Sequence, residues 1–257
     1  MNFQKNINAL KTMLRRELNR TFRIWRQTLI PPLITTTLYF FIFGHLLGSR
    51  LGAVSSFSYL QFLVPGIVMM SILNNAFGAT SAPVFILKFQ RNFEQMLVSP
   101  MSNHIILMGF ILSGVMRALL ISILVMGVAL LFTFLPLSHI TLLITSGILA
   151  AITFSLVGTV NGLLAESFDD ISWVPTFLLT PLTYLGGVFY PLTALPVFWQ
   201  KVSLFNPIFY LIDIFRYGFL GLHAINPIIT LSLLGSLIIV LYGCAYYLIK
   251  YSPRLRP

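Results

Sequence analysis

The sequence predicts an all-α integral membrane protein with six transmembrane helices, an amino-terminal interfacial amphipathic helix, and an outer re-entrant helical hairpin between spans five and six. Of its 257 residues, 57% are hydrophobic and only 9% are charged, whereas soluble domains have about 25% charged residues. The apolar residues form long continuous runs instead of short alternating strands, which favours helical spans over a membrane β-barrel. A chain with so little polar surface belongs in a bilayer.

The amino-terminal segment, residues 1–27, has the pattern of an amphipathic helix. Arg16, Arg20 and Arg23 lie on one side, and we expect them at the lipid headgroups of the membrane interface. A solvated basic tail is the alternative, which the unbroken apolar stripe on the other side disfavours. The stripe recurs at steps of three and four residues and comprises Phe3, Ile7, Leu10, Leu14, Leu18, Phe22 and Trp25.

Residues 28–257 are predicted to form one six-span domain. A transmembrane helix needs about 20 predominantly apolar residues, and six segments are long enough: 28–47, 60–87, 104–135, 140–164, 172–190 and 227–249. Residues 191–226 are apolar too, but three prolines divide them into fragments too short to cross the membrane. We therefore expect the outer re-entrant hairpin in that region.

The distribution of lysine and arginine predicts the orientation. Twelve of the 16 basic residues flank the spans on the side of the two termini. The positive-inside rule therefore places both termini in the cytoplasm of a multi-pass inner-membrane protein. Because the basic residues flank membrane spans, we expect anionic membrane lipid as their partner and no nucleic acid.

Residues 88–100, KFQRNFEQMLVSP, interrupt the apolar sequence after the second span. Lys88, Arg91 and Gln95 are expected on one side of a short helix that Pro100 ends. Such a helix is marginal alone in water, so its apolar stripe must rest on lipid, on the rest of the protein, or in a partner's groove. The stripe comprises Phe89, Phe93, Met96 and Leu97.

Three acidic residues are candidates for contact with a partner on the same side. Glu94 lies within residues 88–100, and we expect it to orient that helix against a partner or else to be solvated. Asp169 and Asp170 precede the fifth span. Carboxylates there stabilise a helix amino terminus, and a second cytoplasmic contact is an equally open interpretation.

Polar residues within the spans are candidates for a translocation path or gate. Arg117 either extends to the inner interface, which the length of its predicted span favours, or faces an anionic group of a substrate. Asn74, Asn75 and Asn161 either line a path or form hydrogen bonds between helices. The remaining candidates lie near the outer end of the fifth span, where an aromatic belt is expected: Tyr184, Gly186, Gly187 and Tyr190.

Several sequence stretches resemble those of ABC-2 type permeases. The "VSP" that ends residues 88–100 looks like the end of that family's cytoplasmic coupling helix. More specific is residues 181–221, PLTYLGGVFYPLTALPVFWQ followed by NPIFYLIDIFRYGFLG, which is similar to the family's carboxy-terminal signature. With FDDIS before span five and RIWRQTLIPP before span one, the whole chain resembles the YadH-like inner-membrane transport permeases of this family.

The resemblance implies the fold of type V exporters and a separate source of energy. The chain has no G-x-x-x-x-G-K-[ST] motif for ATP, and its acids lie outside the spans or at their ends. The resemblance implies that two copies of an ABC ATP-binding subunit, with ATP and Mg²⁺, dock on residues 88–100 of two permease copies. No cofactor, metal or catalytic residue is expected on this chain, which is not itself an enzyme.

The predicted function is therefore that of a permease subunit of an ABC exporter. Its cargo would be an amphipathic, lipid-linked or glycan-like substrate, or a drug, moved outward across the inner membrane. Two alternatives from other classes stay open at this point: a self-sufficient secondary carrier or channel, and a membrane assembly protein that transports nothing.

Overall fold

The computed structural model describes residues 3–47, 53, 54, 57–93, 96 and 101–251. Its helices, numbered in chain order, are α1 Phe3–Arg23, α2 Trp25–Thr28, α3 Ile30–Tyr39, α4 Tyr59–Phe89, α5 Asn103–Phe132, α6 Ile140–Leu164, α7 Phe168–Val174, α8 Thr180–Leu185, α9 Val197–Leu204, α10 Pro207–Leu220 and α11 Pro227–Tyr251. The π-helical runs Phe40–Leu47 and Pro175–Leu179 extend α3 and join α7 to α8, and a 3₁₀ turn, Leu192–Ala194, precedes α9. Strands β1, Ala53–Val54, and β2, Phe57–Ser58, pair antiparallel.

Five helical segments in these residues are long and apolar enough to cross a membrane: Trp25–Gly44, Tyr59–Phe89, Asn103–Phe132, Ile140–Leu164 and Pro227–Tyr251. The predicted span 172–190 corresponds to the continuous run from α7 to α8, which ends at Leu185 instead of 190. It ends there because Gly186 caps it and Gly187 has a φ of 77°.

The predicted third segment is also too long. Helix α5 ends at Phe132, and Thr133 is extended, whereas the prediction continued to residue 135. Pro136 lies in the non-helical connection before α6, and the backbone before a proline favours extended conformations. The amino-terminal segment is likewise divided: α1 ends at Arg23, and Ile24 separates it from α2.

Helix α4 is the centre of the bundle and packs against α5, α6 and α10. Its contact with α6 is close because Gly158 and Gly162 form a G-x-x-x-G stripe facing it. A Cβ atom at Gly158 would lie 2.5 Å from the Phe77 carbonyl oxygen, and one at Gly162 would lie 2.5 Å from the Ser81 carbonyl oxygen. Small residues of this kind let helix backbones approach in a membrane, where packing drives association.

The bundle has two chemically different ends. One end holds α1, the end of α4 and the start of α7, and we name it the basic end because Arg16, Arg20, Lys88 and Arg91 lie there. At the opposite end, the chain between α8 and α11 folds back into the short helices α9 and α10. The side chains of Ser203 and Asn206 donate hydrogen bonds to the Leu185 and Leu182 carbonyls, which fixes this region against α8.

Helix α10 is anchored by two charged residues that are buried. The Arg216 guanidinium donates a 2.8 Å hydrogen bond to the Gly187 carbonyl and lies 3.9 Å from the centre of the Phe62 ring. The Asp213 carboxylate accepts bonds of 2.9 to 3.1 Å from the backbone N–H groups of Ala224 and Ile225. Arg216 therefore holds the turn that follows α8, and Asp213 holds the loop that follows α10.

Candidate functional site

The predicted coupling helix does not begin at residue 88. Lys88 and Phe89 are the last residues of α4, and a turn follows in which Arg91 has a φ of 56°. A left-handed residue ends an α-helix, so the prediction of one continuous stripe from Phe89 to Phe93 is wrong. Asn92, Phe93 and Met96 are helical, whereas Glu94, Leu97 and the "VSP" stretch lie outside the described residues.

Lys88 has a structural role that the sequence pattern did not predict. Its Nζ donates hydrogen bonds of 2.8 Å and 2.6 Å to the carbonyls of Leu163 and Ala165. A cation near the last carbonyls of a helix satisfies groups that have no intrahelical partner and interacts favourably with the helix dipole. Lys88 therefore ties the end of α4 to the end of α6 and does not face away into solvent.

An exposed aromatic pair lies at the basic end. The Phe89 ring lies 5.6 Å from the Phe168 ring, and both contact the buried Phe85 ring. Phe89 is 65% exposed and Phe168 is 57% exposed. The end of α4 and the start of α7 therefore meet. This contact brings together the two segments that the sequence suggested separately for partner contact, residues 88–100 and the acidic residues before the fifth span.

Asp169 and Asp170 follow Phe168 but differ in role. The Asp170 carboxylate accepts hydrogen bonds from the N–H groups of Glu166 and Ser167, at 2.8 and 2.9 Å. These bonds lower the pKa of Asp170 below its usual value, and Asp170 thus caps the amino terminus of α7. Asp169 is exposed and makes no hydrogen bond or ion pair among the described residues, so its carboxylate faces solvent beside the aromatic pair.

Phe93 is buried in the core, and Met96 is half-buried against it. Phe93 is 1% exposed, and its ring stacks parallel to that of Phe110 with the centroids 6.2 Å apart. Met96 borders a pocket together with Met13 and Met101. Part of the apolar stripe therefore packs on the rest of the protein, against α1 and α5. The sequence had left lipid and a partner's groove open as alternatives.

Arg117 lies next to α1. Its Nε is buried without a hydrogen-bond partner, and its charged neighbours are Arg20 and Glu17. Glu17 pairs at 3.3 Å with both Arg16 and Arg20. The structure thus places Arg117 beside the arginines of α1 at the basic end, with its Nε buried.

The three asparagines are not equivalent. Asn161 donates a 2.8 Å hydrogen bond to the Ser81 hydroxyl and so connects α6 to α4. Asn74 and Asn75 donate to carbonyls of their own helix, and both border a groove of about 270 Å³ between α3 and α4. The groove is also lined by Thr35 and Tyr39, and none of its lining residues is charged.

The candidates at the outer end of the predicted fifth span form one cluster. The Tyr190 hydroxyl donates to the Tyr184 carbonyl at 2.7 Å. Gly186 packs against Ile208 and Ile212 of α10. Gly187 has a left-handed backbone, with a φ of 77°, and turns the chain after α8. The Phe189 ring contacts both Tyr184 and Tyr39, so this cluster adjoins the groove that contains Asn74 and Asn75.

Two structural features were not recognised from the sequence, although each left a signal there. The G-x-x-x-G spacing of residues 158–162 is a known small-residue pattern for close helix contact. Asp213 and Arg216 are three residues apart in an otherwise apolar stretch, and that spacing puts opposite charges on one helical face.

The comparison with known families agrees with this arrangement of helices. Residues 8–220 match the model of the ABC-2 type transporter family. The chain belongs to the ABC-2 type transporter family. The permease is 48% identical over 248 residues to the inner membrane transport permease YadH of Escherichia coli K12, covering 96% of this chain and 97% of that protein.

More distant relatives align over most of the same length. Nodulation protein J of Rhizobium leguminosarum bv. viciae is 28% identical over 229 residues, covering 86% of the permease and 87% of the relative. Nodulation protein J of the bv. trifolii strain is 30% identical over 211 residues, or 79% of each chain. With its apolar helices, this ABC-2 type permease is a multi-pass protein of the inner membrane.

Proposed function

We propose that this permease is the membrane subunit of an ABC exporter. It moves an amphipathic, lipid-linked or glycan-like substrate, or a drug, outward across the inner membrane, and a separate ABC ATPase binds ATP and Mg²⁺ and supplies the energy. Two permease copies and two ATPase subunits form the transporter. Family membership implies association with an ATP-binding subunit, and the YadH relative is itself named a transport permease.

The observation that best supports the ATPase contact is the exposed Phe89–Phe168 pair. Large apolar side chains that stand exposed among charged residues are typical of protein interaction sites. Arg91 is exposed after Phe89, and Asp169 is exposed after Phe168, so charged side chains of both signs border the pair. We assign the principal contact to Phe89, Arg91, Phe168 and Asp169, with Glu94 and Leu97 as further candidates.

The proposed topology has six spans and cytoplasmic termini. The five long apolar helices supply five crossings, and the run from α7 to α8 supplies the sixth. Helices α9 and α10, with eight and 14 residues, are too short to cross. The hydrogen bonds from Ser203 and Asn206 to α8 support a re-entrant hairpin on the outer side, and the basic end then faces the cytoplasm.

The groove that contains Asn74 and Asn75 is the best candidate for the cargo path. A polar, uncharged surface between two apolar helices is costly in lipid unless it serves a polar ligand or a second protein surface. Each asparagine amide donates a hydrogen bond within α4, and its oxygen remains an acceptor for hydroxyl groups. Tyr39 adds a ring on which a sugar can stack. These features support a hydroxyl-bearing cargo.

Copurification from the native membrane tests the function. We expect the affinity-tagged permease, solubilised in mild detergent, to retain a second protein that hydrolyses ATP with Mg²⁺, and whose sequence contains the G-x-x-x-x-G-K-[ST] motif. A permease that never retains such a protein, in several detergents and in nanodiscs, would exclude the ABC exporter. The cargo is then identified from what accumulates in cells without the permease.

A further inference from the structure

A cleft of about 480 Å³ lies at the basic end, between α1 and the last turns of α4. Three arginines of α1 line it: Arg16, Arg20 and Arg23. The buried residues in the described part of α1 are Met13, Glu17 and Thr21, so these arginines lie beside the buried face and not within it. The arrangement leaves a concave, charged space that α1 and α4 do not fill.

The described part of the chain does not balance the charge of the cleft. Among the described lining residues Glu17 is the only acidic one, and it is shared at 3.3 Å between Arg16 and Arg20. Arg23 makes no ion pair among the residues that the structure describes. Three guanidinium groups and one carboxylate therefore leave an excess of about two positive charges in the cleft.

Arg117 adds a further positive charge at the edge of this cluster. Its Nε is buried without a hydrogen-bond partner among the described residues, and Arg20 is close enough to repel its charge. A buried guanidinium without a full set of acceptors is costly. A multivalent anion in the cleft would lower the repulsion among these arginines and accept paired hydrogen bonds from their planar N–H groups.

The part of the opposite wall that α4 forms is apolar. It consists of Pro83, Ile86 and Leu87, of which Ile86 is exposed, and the polar Gln90 and Asn92 line the cleft just beyond the end of α4. A ligand that fits both walls has an acidic group on one side and a hydrocarbon surface on the other. This requirement favours a lipid over a nucleic acid or a free nucleotide, neither of which has a hydrocarbon surface to cover the apolar wall.

We propose that this cleft binds the phosphate headgroup of an anionic lipid at the membrane surface. The phosphate lies between Arg20 and Arg23, and the first part of the lipid chain contacts Ile86 and Leu87. The ligand chemistry is shared by phospholipids of the bilayer and by a phosphate-bearing lipid presented as cargo. Lipid binding to this cleft does not require the ATPase. A permease that binds no anionic lipid would therefore contradict this proposal without contradicting the proposed exporter function.

Lipid binding to the purified permease tests the cleft. The probes are short-chain phosphatidic acid, short-chain phosphatidylcholine and inorganic phosphate, each titrated into the permease in a nonionic detergent. We expect phosphatidic acid to bind at least tenfold more tightly than either other probe. If phosphatidylcholine binds as tightly as phosphatidic acid, the arginines do not select the ligand by its charge. If inorganic phosphate binds as tightly, the apolar wall does not contribute to affinity. Either result would contradict the proposal.

Matched variants locate the site on α1. Because one basic residue near the membrane surface contributes about a fivefold change in affinity, we expect Arg20→Gln/Arg23→Gln to weaken phosphatidic acid binding about 25-fold. Arg23→Gln alone breaks no ion pair and is expected to weaken it about fivefold. Lys11→Gln/Arg15→Gln removes the same charge from α1 outside the cleft and is expected to change binding less than twofold. An equal loss of phosphatidic acid affinity in this control would show that the lipid is attracted by the overall positive charge of α1 and not by the cleft, and would overturn the proposal.

The source of the phosphate is distinguished by mass spectrometry of the permease extracted from its native membrane. Retention of bilayer phospholipids that is lost in Arg20→Gln/Arg23→Gln identifies a structural lipid. Retention of a phosphate-bearing lipid that bears a glycan or another cargo group, lost in the same variant, identifies a loading site. Retention that is unchanged in the double variant would contradict the proposal under both sources.

Discussion

Phe89 and Phe168 lie with their rings 5.6 Å apart, at an interplanar angle of 61°. One is the last residue of the second long helix and the other is the first residue of α7, so residues 79 positions apart in sequence form one exposed surface. Lys88 stabilises the same junction through the carbonyls at the end of α6. The basic end is therefore a platform built from three helix termini.

Lys88→Met is expected to destabilise the permease by about 2 kcal/mol, because two charge-assisted hydrogen bonds to the end of α6 are lost. The measurement is thermal unfolding in detergent, followed by the fluorescence of the three tryptophans. Lys201→Met is the control, since Lys201 is exposed and bonds to nothing that the described residues include. Equal midpoints for the two variants would refute the capping role of Lys88.

Gly158→Ala is expected to destabilise the bundle by about 1–3 kcal/mol, as overpacking does. The new Cβ atom would lie 2.5 Å from the Phe77 carbonyl oxygen, so α4 and α6 must separate. Gly243→Ala adds the same atom where nothing lies within 4 Å, and we expect it to leave stability unchanged or raise it by up to about 1 kcal/mol, because alanine is the better helix former. The yield of monodisperse protein after solubilisation and the unfolding midpoint are compared; a tolerated Gly158→Ala would contradict the close contact.

Arg216→Gln is expected to cost about 3 kcal/mol, because the guanidinium hydrogen bond to Gly187 and its contact with the Phe62 ring are both lost. Arg216→Lys should restore less than half of this loss, since an ammonium group lacks the planar surface that stacks on a ring. Unfolding midpoints of both variants provide the measurement. Full rescue by lysine would show that only the charge of Arg216 matters.

The cap of α7 is expected to depend on pH. Because the pKa of Asp170 is lowered in the folded protein, its contribution is fully present above the unfolded value of about 3.9 and is lost as the pH falls through the lower folded value. Trp173 lies in the same short helix, so its fluorescence should change in this range. Asp169→Asn should retain the change and Asp170→Asn should lack it; the reverse pattern would contradict the cap.

The sequence predicted the class of fold and the long helices, because their length and apolar composition are local properties. It did not predict that the helix of residues 88–100 is interrupted at Arg91, because the spacing of apolar residues does not reveal a left-handed backbone at one position. It also could not show that Phe93 is buried against Phe110, because the apolar stripe fits lipid, the protein core or a partner equally well.

The candidate site was predicted in its parts but not in its assembly. Phe89, Arg91 and Asp169 were each recognised as candidates, whereas Phe168 was not, because an aromatic residue before a span is expected in any membrane protein. Only the approach of α4 to α7 brings Phe168 to Phe89. The arginines of α1 were expected at the headgroups, but their cleft depends on how α1 packs against the bundle.

Association with the ATPase tests the central claim most directly. Once the partner is identified, its affinity for the purified permease is compared among three proteins: the unaltered permease, Phe89→Asp and Phe134→Asp. Phe134 is 80% exposed at the opposite end and controls for the introduced charge. We predict that Phe89→Asp weakens association by at least 100-fold, the loss expected when an interface hot spot is removed at a cost of about 3 kcal/mol, and that Phe134→Asp binds normally. Normal association of folded Phe89→Asp would contradict the account.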